Sequence, residues 1–226
     1  MRVTVLGSTG RVGSALHACI GRAADLSLAE ALSSSGGCGS VCLSKAQLID
    51  ADVIVDFSSP AGTMALLDRL KTSNVPLVVG TTGFSGEQTQ VLMREGQLRP
   101  ILVSANFTKG FEVFAQCAKR LAGSLSQARV TVGEVYNARK KPIPSGTTRR
   151  LCDLLNDNGR DIETEISRVG DTPGINTVTL DYGVAEIDIT LTVRNREAYA
   201  EGALDAARWL ADRPAGFYTL SDSHAE

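Results

Sequence analysis

Short apolar runs alternate with amphipathic stretches through the first half of the chain. The runs are Arg2–Leu6, Leu26–Leu32, Val53–Phe57, Leu77–Val79 and Ile101–Ser104. Each is short and bounded by turn residues, which predicts strands. Helices are expected between them over Arg11–Ala24, after Ser58-Ser59-Pro60 and over Ser85–Gln97. Ser58-Ser59-Pro60 reads as a cap with proline in the first turn. Met64, Leu67 and Leu70 then form a stripe for packing rather than chemistry. This alternation predicts an α/β domain with a Rossmann-like, doubly wound parallel sheet.

The pattern changes after Asn106. A helix is expected over 107–122, then a strand at Arg129–Tyr136, a basic turn and a helix ending at Leu155. Residues 162–169, 176–182 and 186–193 alternate apolar and polar positions, as strands with one wet face do. No helix separates them, so they are expected to be antiparallel. That makes a second, α+β domain with a mainly antiparallel sheet. A last helix over 196–210 puts Tyr199, Ala203, Ala206, Ala207 and Leu210 on one side. The expected division is 1–106, with 196–226 packing back on it, and 107–195. The closing S-D-S-H-A-E is expected to be disordered.

Charge singles out one stretch. Arg139, Lys140, Lys141, Arg149 and Arg150 fall between Val135 and Cys152 with no carboxylate among them, in a chain of net charge -2. Such a run by itself reads as a solvated loop. Pro142 and Pro144 lower the entropy cost of ordering it. Ser145-Gly146-Thr147 then opens a helix, whose unpaired amides suit a carboxylate or phosphate. Either Ser145 or Thr147 can cap that helix.

A second anion site is expected at the N-terminus. Gly7-Ser8-Thr9-Gly10-Arg11-Val12-Gly13 follows a strand and opens a helix, the context in which glycines let backbone amides approach a pyrophosphate. Where a ribose-binding carboxylate would close the second strand, the chain has Ser33-Ser34-Ser35. This, with Arg11 nearby, leans towards NADPH over NADH. Gly80-Thr81-Thr82 and Ala105-Asn106-Phe107 are turns at the carboxyl ends of strands, where open α/β sheets bind ligands.

Composition mostly excludes. No run of about 18 apolar residues predicts a membrane span, and Met1-Arg2 leads into V-T-V-L-G too early for a signal peptide. The expected location is the cytoplasm. Five scattered cysteines form neither a disulfide framework nor a metal-binding spacing, so no metal is expected. Histidine is limited to His17 and His224, so histidine chemistry is not expected. Nucleic-acid binding is not expected either, because the positive charge is confined to one short stretch.

With the glycine turn, G-T-T-G-F from Gly80, Ala105-Asn106-Phe107 and Lys140 with Pro144-Ser145-Gly146-Thr147 in view, the chain resembles the dihydrodipicolinate reductase family. The likeness extends to R-V-G-D-T-P-G from Arg168 and to A-R-W-L in the last helix. It implies a nicotinamide cofactor on the N-terminal domain and an anionic cyclic imine dicarboxylate between the domains. Hydride transfer to the ring, protonation of the adjacent carbon and a homotetramer joined through the C-terminal sheets are also implied. Lys140 matches the family lysine; Ser145, Gly146 and Thr147 match its carboxylate-binding turn. The family's histidines fall on Tyr136, Asn137 and Asn176. The resemblance therefore gives Lys140 and Tyr136 as candidates for catalysis and Asn137 for substrate contact. Two alternatives stay open: reduction of a different cyclic imine, and non-catalytic dinucleotide binding.

Overall fold

The computed structural model of the protein describes residues 1–48, 50–156 and 159–224. These form two compact units, Met1–Thr108 with the C-terminal segment from Arg196, and Lys109–Asn195. In the first, β1 (Arg2–Leu6), α1 (Arg11–Arg22), β2 (Ser27–Ser33), β3 (Val41–Cys42), β4 (Val53–Asp56), α2 (Pro60–Arg69), β5 (Leu77–Val79), α3 (Gly86–Glu95) and β6 (Pro100–Val103) follow in order. All strand pairs in this sheet are parallel. Both faces are apolar, as burial by helices on each side demands. Val3, Val5, Val53, Val55, Val78 and Leu102 line one face with Leu16 and Ile20 of α1. Leu6, Leu32, Ile54, Leu77, Val79 and Ile101 line the other with Leu66, Leu67 and Leu70 after α2's start. Ser59 caps α2 by accepting from Gly62 N at 3.2 Å, with Pro60 in the first turn. Leu66, outside the predicted stripe, is buried in this core, while Met64 packs only at its edge.

The second unit begins with α4 (Phe111–Ser124), four residues later than expected. Asn106 explains the delay: its Oδ1 accepts Thr108 N at 2.8 Å, and Gly110 then adopts φ 89°. That is a turn stabilised by a short polar side chain, not a first helical turn. β7 (Arg129–Tyr136), α5 (Gly146–Leu155), β8 (Ile162–Arg168), β9 (Gly174–Asp181) and β10 (Glu186–Val193) complete it. The sheet order is β10-β9-β7-β8. β9 is antiparallel to both β7 and β10, as expected, but β7 and β8 are parallel. The cause is α5, which makes β7–α5–β8 a crossover unit and seats β7 between β8 and β9. Phe111, Ala115 and Ala118 of α4 and Leu151 and Leu155 of α5 cover Val130, Val132, Val178 and Leu180.

The chain then returns to the first unit. α6 (Glu197–Leu210) buries Ala200, Ala203, Ala207 and Leu210 beside α1. β11 (Gly216–Thr219), which the sequence pattern did not predict, pairs in parallel with β6 and becomes the seventh strand. Residues 222–224, expected to be disordered, form a 3-10 turn; Asp222 Oδ2 accepts from Thr219 N at 2.7 Å and Thr219 Oγ1 at 2.8 Å. The expectation for residues 225–226 lies outside the described residues.

Candidate active site

In the first unit, the turn from Gly7 to Gly13 is built by hydrogen bonds and close contact. Gly7 N and Ser8 N both donate to Leu32 O at 3.0 Å, and Gly10 N donates to Gly7 O at 2.9 Å. Gly7 has φ 82°, and a Cβ there would meet Phe57 O at 2.4 Å. A Cβ on Gly13 would lie 2.2 Å from Gly7 O. The turn therefore tolerates only glycine at these two positions. Gly10 precedes α1 and gives its first-turn amides no side-chain cap. Ser8 Oγ is buried with no partner.

A cavity of about 690 Å³ continues from this turn. Of the expected cofactor residues, Gly7, Thr9, Gly10 and Ser33 line it. Ser34, of the Ser33-Ser34-Ser35 run, lines it too, as do Ser44, Ser58, Ser59 and Arg69, which were not anticipated. The available signal is Ser58-Ser59-Pro60, which is a turn from strand end to helix as well as a cap. Arg11 is exposed at the first position of α1, Val12 is half-buried, and Gly13 is buried under the turn.

Gly80, Thr81, Thr82, Ala105, Asn106 and Phe107 gather at the carboxyl ends of β5 and β6. Phe57 reaches them: its ring leaves no room for a Cβ on Gly80, and it meets Phe107 edge-on at 5.7 Å. The buried carboxylate of Asp56 organises this region. It accepts from Ser58 N at 2.9 Å, Ser58 Oγ at 2.6 Å, Thr81 Oγ1 at 3.2 Å and Thr63 Oγ1 at 2.5 Å. Burial raises its pKa, with these hydrogen bonds opposing. Asn106 Nδ2 is buried without a partner.

In the second unit, β7 carries Glu134 and Tyr136 on the same face as Val130 and Val132, by its period of two. Tyr136 is 3% exposed and donates its hydroxyl hydrogen to Asn176 Oδ1 at 2.8 Å. Burial pushes the phenol pKa up, and Thr147 and Asn176 only partly oppose it, so the phenol stays protonated. The strand ends at Tyr136. Asn137 folds the turn that follows, its Oδ1 accepting Arg139 N at 3.1 Å and its carbonyl accepting Lys140 N at 3.0 Å. Lys140 Nζ lies 5.6 Å from the centroid of the Tyr136 ring, and Arg168 Cζ lies 5.9 Å from it.

Ser145, not Thr147, is the α5 cap, accepting Thr148 N at 3.2 Å. Beneath it lies an internal anion. Glu134, with a fully buried side chain, accepts from Ser145 N at 3.2 Å, from the Thr148 hydroxyl and from Arg168 Nη2 at 2.7 Å. Burial by itself would raise its pKa, but the bonds from Ser145, Thr148 and Arg168 outweigh it and hold it below the usual carboxylate range. The Ser145 amide is thus committed to Glu134. The amides of Gly146 and Thr147, in the first turn of α5, have no i−4 carbonyl within the helix.

The basic run does not act as one patch. Arg150 turns inward to Glu112, with N–O distances of 2.6 and 2.8 Å, and packs over Phe111. Arg139, Lys141 and Arg149 are exposed, and Lys140 is half-buried. Sheet pairing adds Arg168, a cation outside the run, at the end of β8 and paired with Glu134.

Two family models match this chain: dihydrodipicolinate reductase N-terminus over residues 1–107 and dihydrodipicolinate reductase C-terminus over residues 110–223. The 4-hydroxy-tetrahydrodipicolinate reductase of Nitrosomonas europaea is 30% identical over 260 residues, covering 98% of this chain and 97% of that protein. That of Methanoregula boonei is 28% identical over 247 residues, covering 98% and 96%. A dipicolinate-bound dihydrodipicolinate reductase from Paenisporosarcina sp. TG-14 matches with a TM-score of 0.71 at 17% identity, over 97% of each chain. A diaminopimelate dehydrogenase of C. glutamicum matches at 0.60 and 14% identity, over 97% of this chain and 92% of that one, a likeness of fold. The two family models leave almost none of the chain unmatched, and the protein belongs to the dihydrodipicolinate reductase family of NAD(P)H-dependent oxidoreductases.

Proposed function

We propose that the protein reduces 4-hydroxy-tetrahydrodipicolinate with NADPH in preference to NADH, and that Lys140 is its proton donor. The first unit fits a dinucleotide: Gly13 packs where a Cβ cannot, α1 starts uncapped, and Ser8 Oγ is buried without a partner. Gly7 to Gly13 would hold the pyrophosphate. Gly80, Thr81, Thr82, Ala105, Asn106 and Phe107 would hold the nicotinamide end. When bound, the reduced nicotinamide supplies the hydride. NADPH is favoured because no carboxylate is among the described residues lining the cavity, while Ser33, Ser34 and Arg69 are.

The observation that carries the substrate reading is Tyr136, which joins the two anion-binding groups. Lys140 sits over its ring, and Thr147 and Ser145 interact with its hydroxyl. A ring carboxylate at the Gly146 and Thr147 amides would bring the substrate within reach of the Lys140 ammonium. The Tyr136 proton is spent on Asn176, so Tyr136 supports the ammonium rather than donating. Asn137 Oδ1 is spent on the turn, which leaves its Nδ2 to meet substrate.

We further propose a homotetramer joined through the face of the four-stranded sheet opposite α4 and α5. Its Val135 and Ile175 are only half-buried there. Cytoplasmic location is consistent with the finding that no helix among the described residues is long and apolar enough to cross a membrane. Oxidation of NADPH and of NADH, measured separately with the substrate generated in place, tests the reading. Faster turnover with NADPH is expected; no turnover with either cofactor overturns it.

A further inference from the structure

One carboxylate supports both ends of the segment between β7 and α5, one directly and the other through Arg168. Glu134 holds the α5 end directly, through Ser145 N and the Thr148 hydroxyl. It holds the other end through Arg168. The same guanidinium that pairs with Glu134 at 2.7 Å donates from Nε to Lys140 O at 3.1 Å and from Nη2 to Pro142 O at 3.4 Å. Lys140 and Ser145 therefore sit on a shared support, although four residues separate them in sequence.

We propose that Glu134 is a positioning residue for the reaction, acting with Arg168 as a clamp that fixes the Lys140 ammonium relative to the α5 amides. The inference rests on the reading that Lys140 and α5 hold the substrate. Three features argue for a dedicated clamp rather than incidental packing. The Glu134 side chain is fully buried and Arg168's is 13% exposed, so their pairing is sheltered from water. The carboxylate accepts from the two elements that hold this loop, the start of α5 and the end of β8. Arg168 has the planar fork needed to reach a carboxylate and two carbonyls at once, which a lysine ammonium lacks. Glu134 also satisfies the cap residue's own amide, Ser145 N, with protein rather than ligand, so the helix start is ordered before substrate arrives.

The test uses the full chain with Glu134→Gln, Arg168→Lys and the double variant. Steady-state kinetics with 4-hydroxy-tetrahydrodipicolinate are measured beside NADPH affinity and hydrogen exchange over residues 137–148. A misplacement of about 1 Å costs about a hundredfold in rate, so each single variant is expected to lose tenfold to about a hundredfold in kcat/KM. The NADPH dissociation constant should stay within about twofold, and the double variant should be no worse than the poorer single one. Exchange at Ser145 N should accelerate in both single variants. Multiplicative losses in the double variant would overturn the clamp, as would unchanged exchange over 137–148. If Glu134→Gln does not fold, Arg168→Lys and Thr148→Val carry the same exchange measurement. Should the wild type turn over no substrate while exchange behaves as expected, the functional reading fails and the clamp survives.

Discussion

α1 carries two interior glycines that should respond to alanine in opposite ways. A Cβ on Gly13 would lie 2.2 Å from Gly7 O, 2.7 Å from Ser8 Cα and 2.8 Å from Ser8 C. Those are backbone atoms, so no rotamer change relieves the clash. To restore a contact near 3.5 Å, α1 and the turn must separate by about 1 Å. Overpacking of this kind costs about 1–3 kcal/mol. The same movement strains the bonds from Gly7 N and Ser8 N to Leu32 O, which hold in shape the turn proposed for the pyrophosphate. Gly13→Ala should therefore lower stability by about 2 kcal/mol and weaken NADPH binding at least about tenfold. Gly21 on the same helix has nothing within 4 Å of its Cβ position and is exposed. Gly21→Ala should stabilise by about 0.5–1 kcal/mol and leave NADPH binding unchanged. Urea denaturation and fluorescence titration with NADPH measure both. If the two variants shift stability in the same direction, or Gly13→Ala binds NADPH normally, the packing argument for this turn is wrong.

Other positions yield further expectations. Tyr136→Phe should lower kcat by less than about fivefold, because the phenol proton serves Asn176; loss of the acid itself would cost about a hundredfold or more, which steady-state assays resolve. Glu134 has a folded pKa below its unfolded value, so its stabilisation is complete above the unfolded carboxylate range and fades as pH falls through it. Denaturation midpoints of the wild type should accordingly drop more between pH of about 5 and about 3 than those of Glu134→Gln. Arg150→Met removes the ion-pair partner of the buried Glu112 carboxylate and should cost about 1–3 kcal/mol, discounted because Arg150 is partly exposed, with KM unaffected. A raised KM without lost stability would instead place Arg150 at the anion site. Arg69→Met should narrow the preference for NADPH, read as the ratio of kcat/KM for the two cofactors.

The parallel sheet is legible because strands buried on both faces leave short, wholly apolar runs between helix-length segments. β11 leaves no such mark: G-F-Y-T is short, and pairing with β6 decides its fate. The parallel β7–β8 pair is likewise a consequence of α5 crossing over. In the site, the glycine turn and a capped helix start within Ser145-Gly146-Thr147 can be read directly, since local sterics and orphan amides dictate residue type there, although the choice of Ser145 over Thr147 needs the structure. Glu134 cannot. A carboxylate beside a basic run reads as solvated, and its partners Ser145, Thr148 and Arg168 reach it only through tertiary structure. Arg150 misleads for the same reason, because its partner Glu112 comes from α4. The α2 contribution to the cavity is a matter of packing, as Ser59 and Arg69 stand nearly three turns apart.

The most direct measurement is the rate of NADPH oxidation with 4-hydroxy-tetrahydrodipicolinate by the wild type and by Lys140→Met. The wild type should turn over at about 1–1,000 per second. Lys140→Met should lose about a hundredfold to ten-thousandfold in kcat while binding NADPH normally. A silent wild type, or a Lys140→Met enzyme as fast as its parent, would contradict the assignment of Lys140 as the proton donor to this substrate.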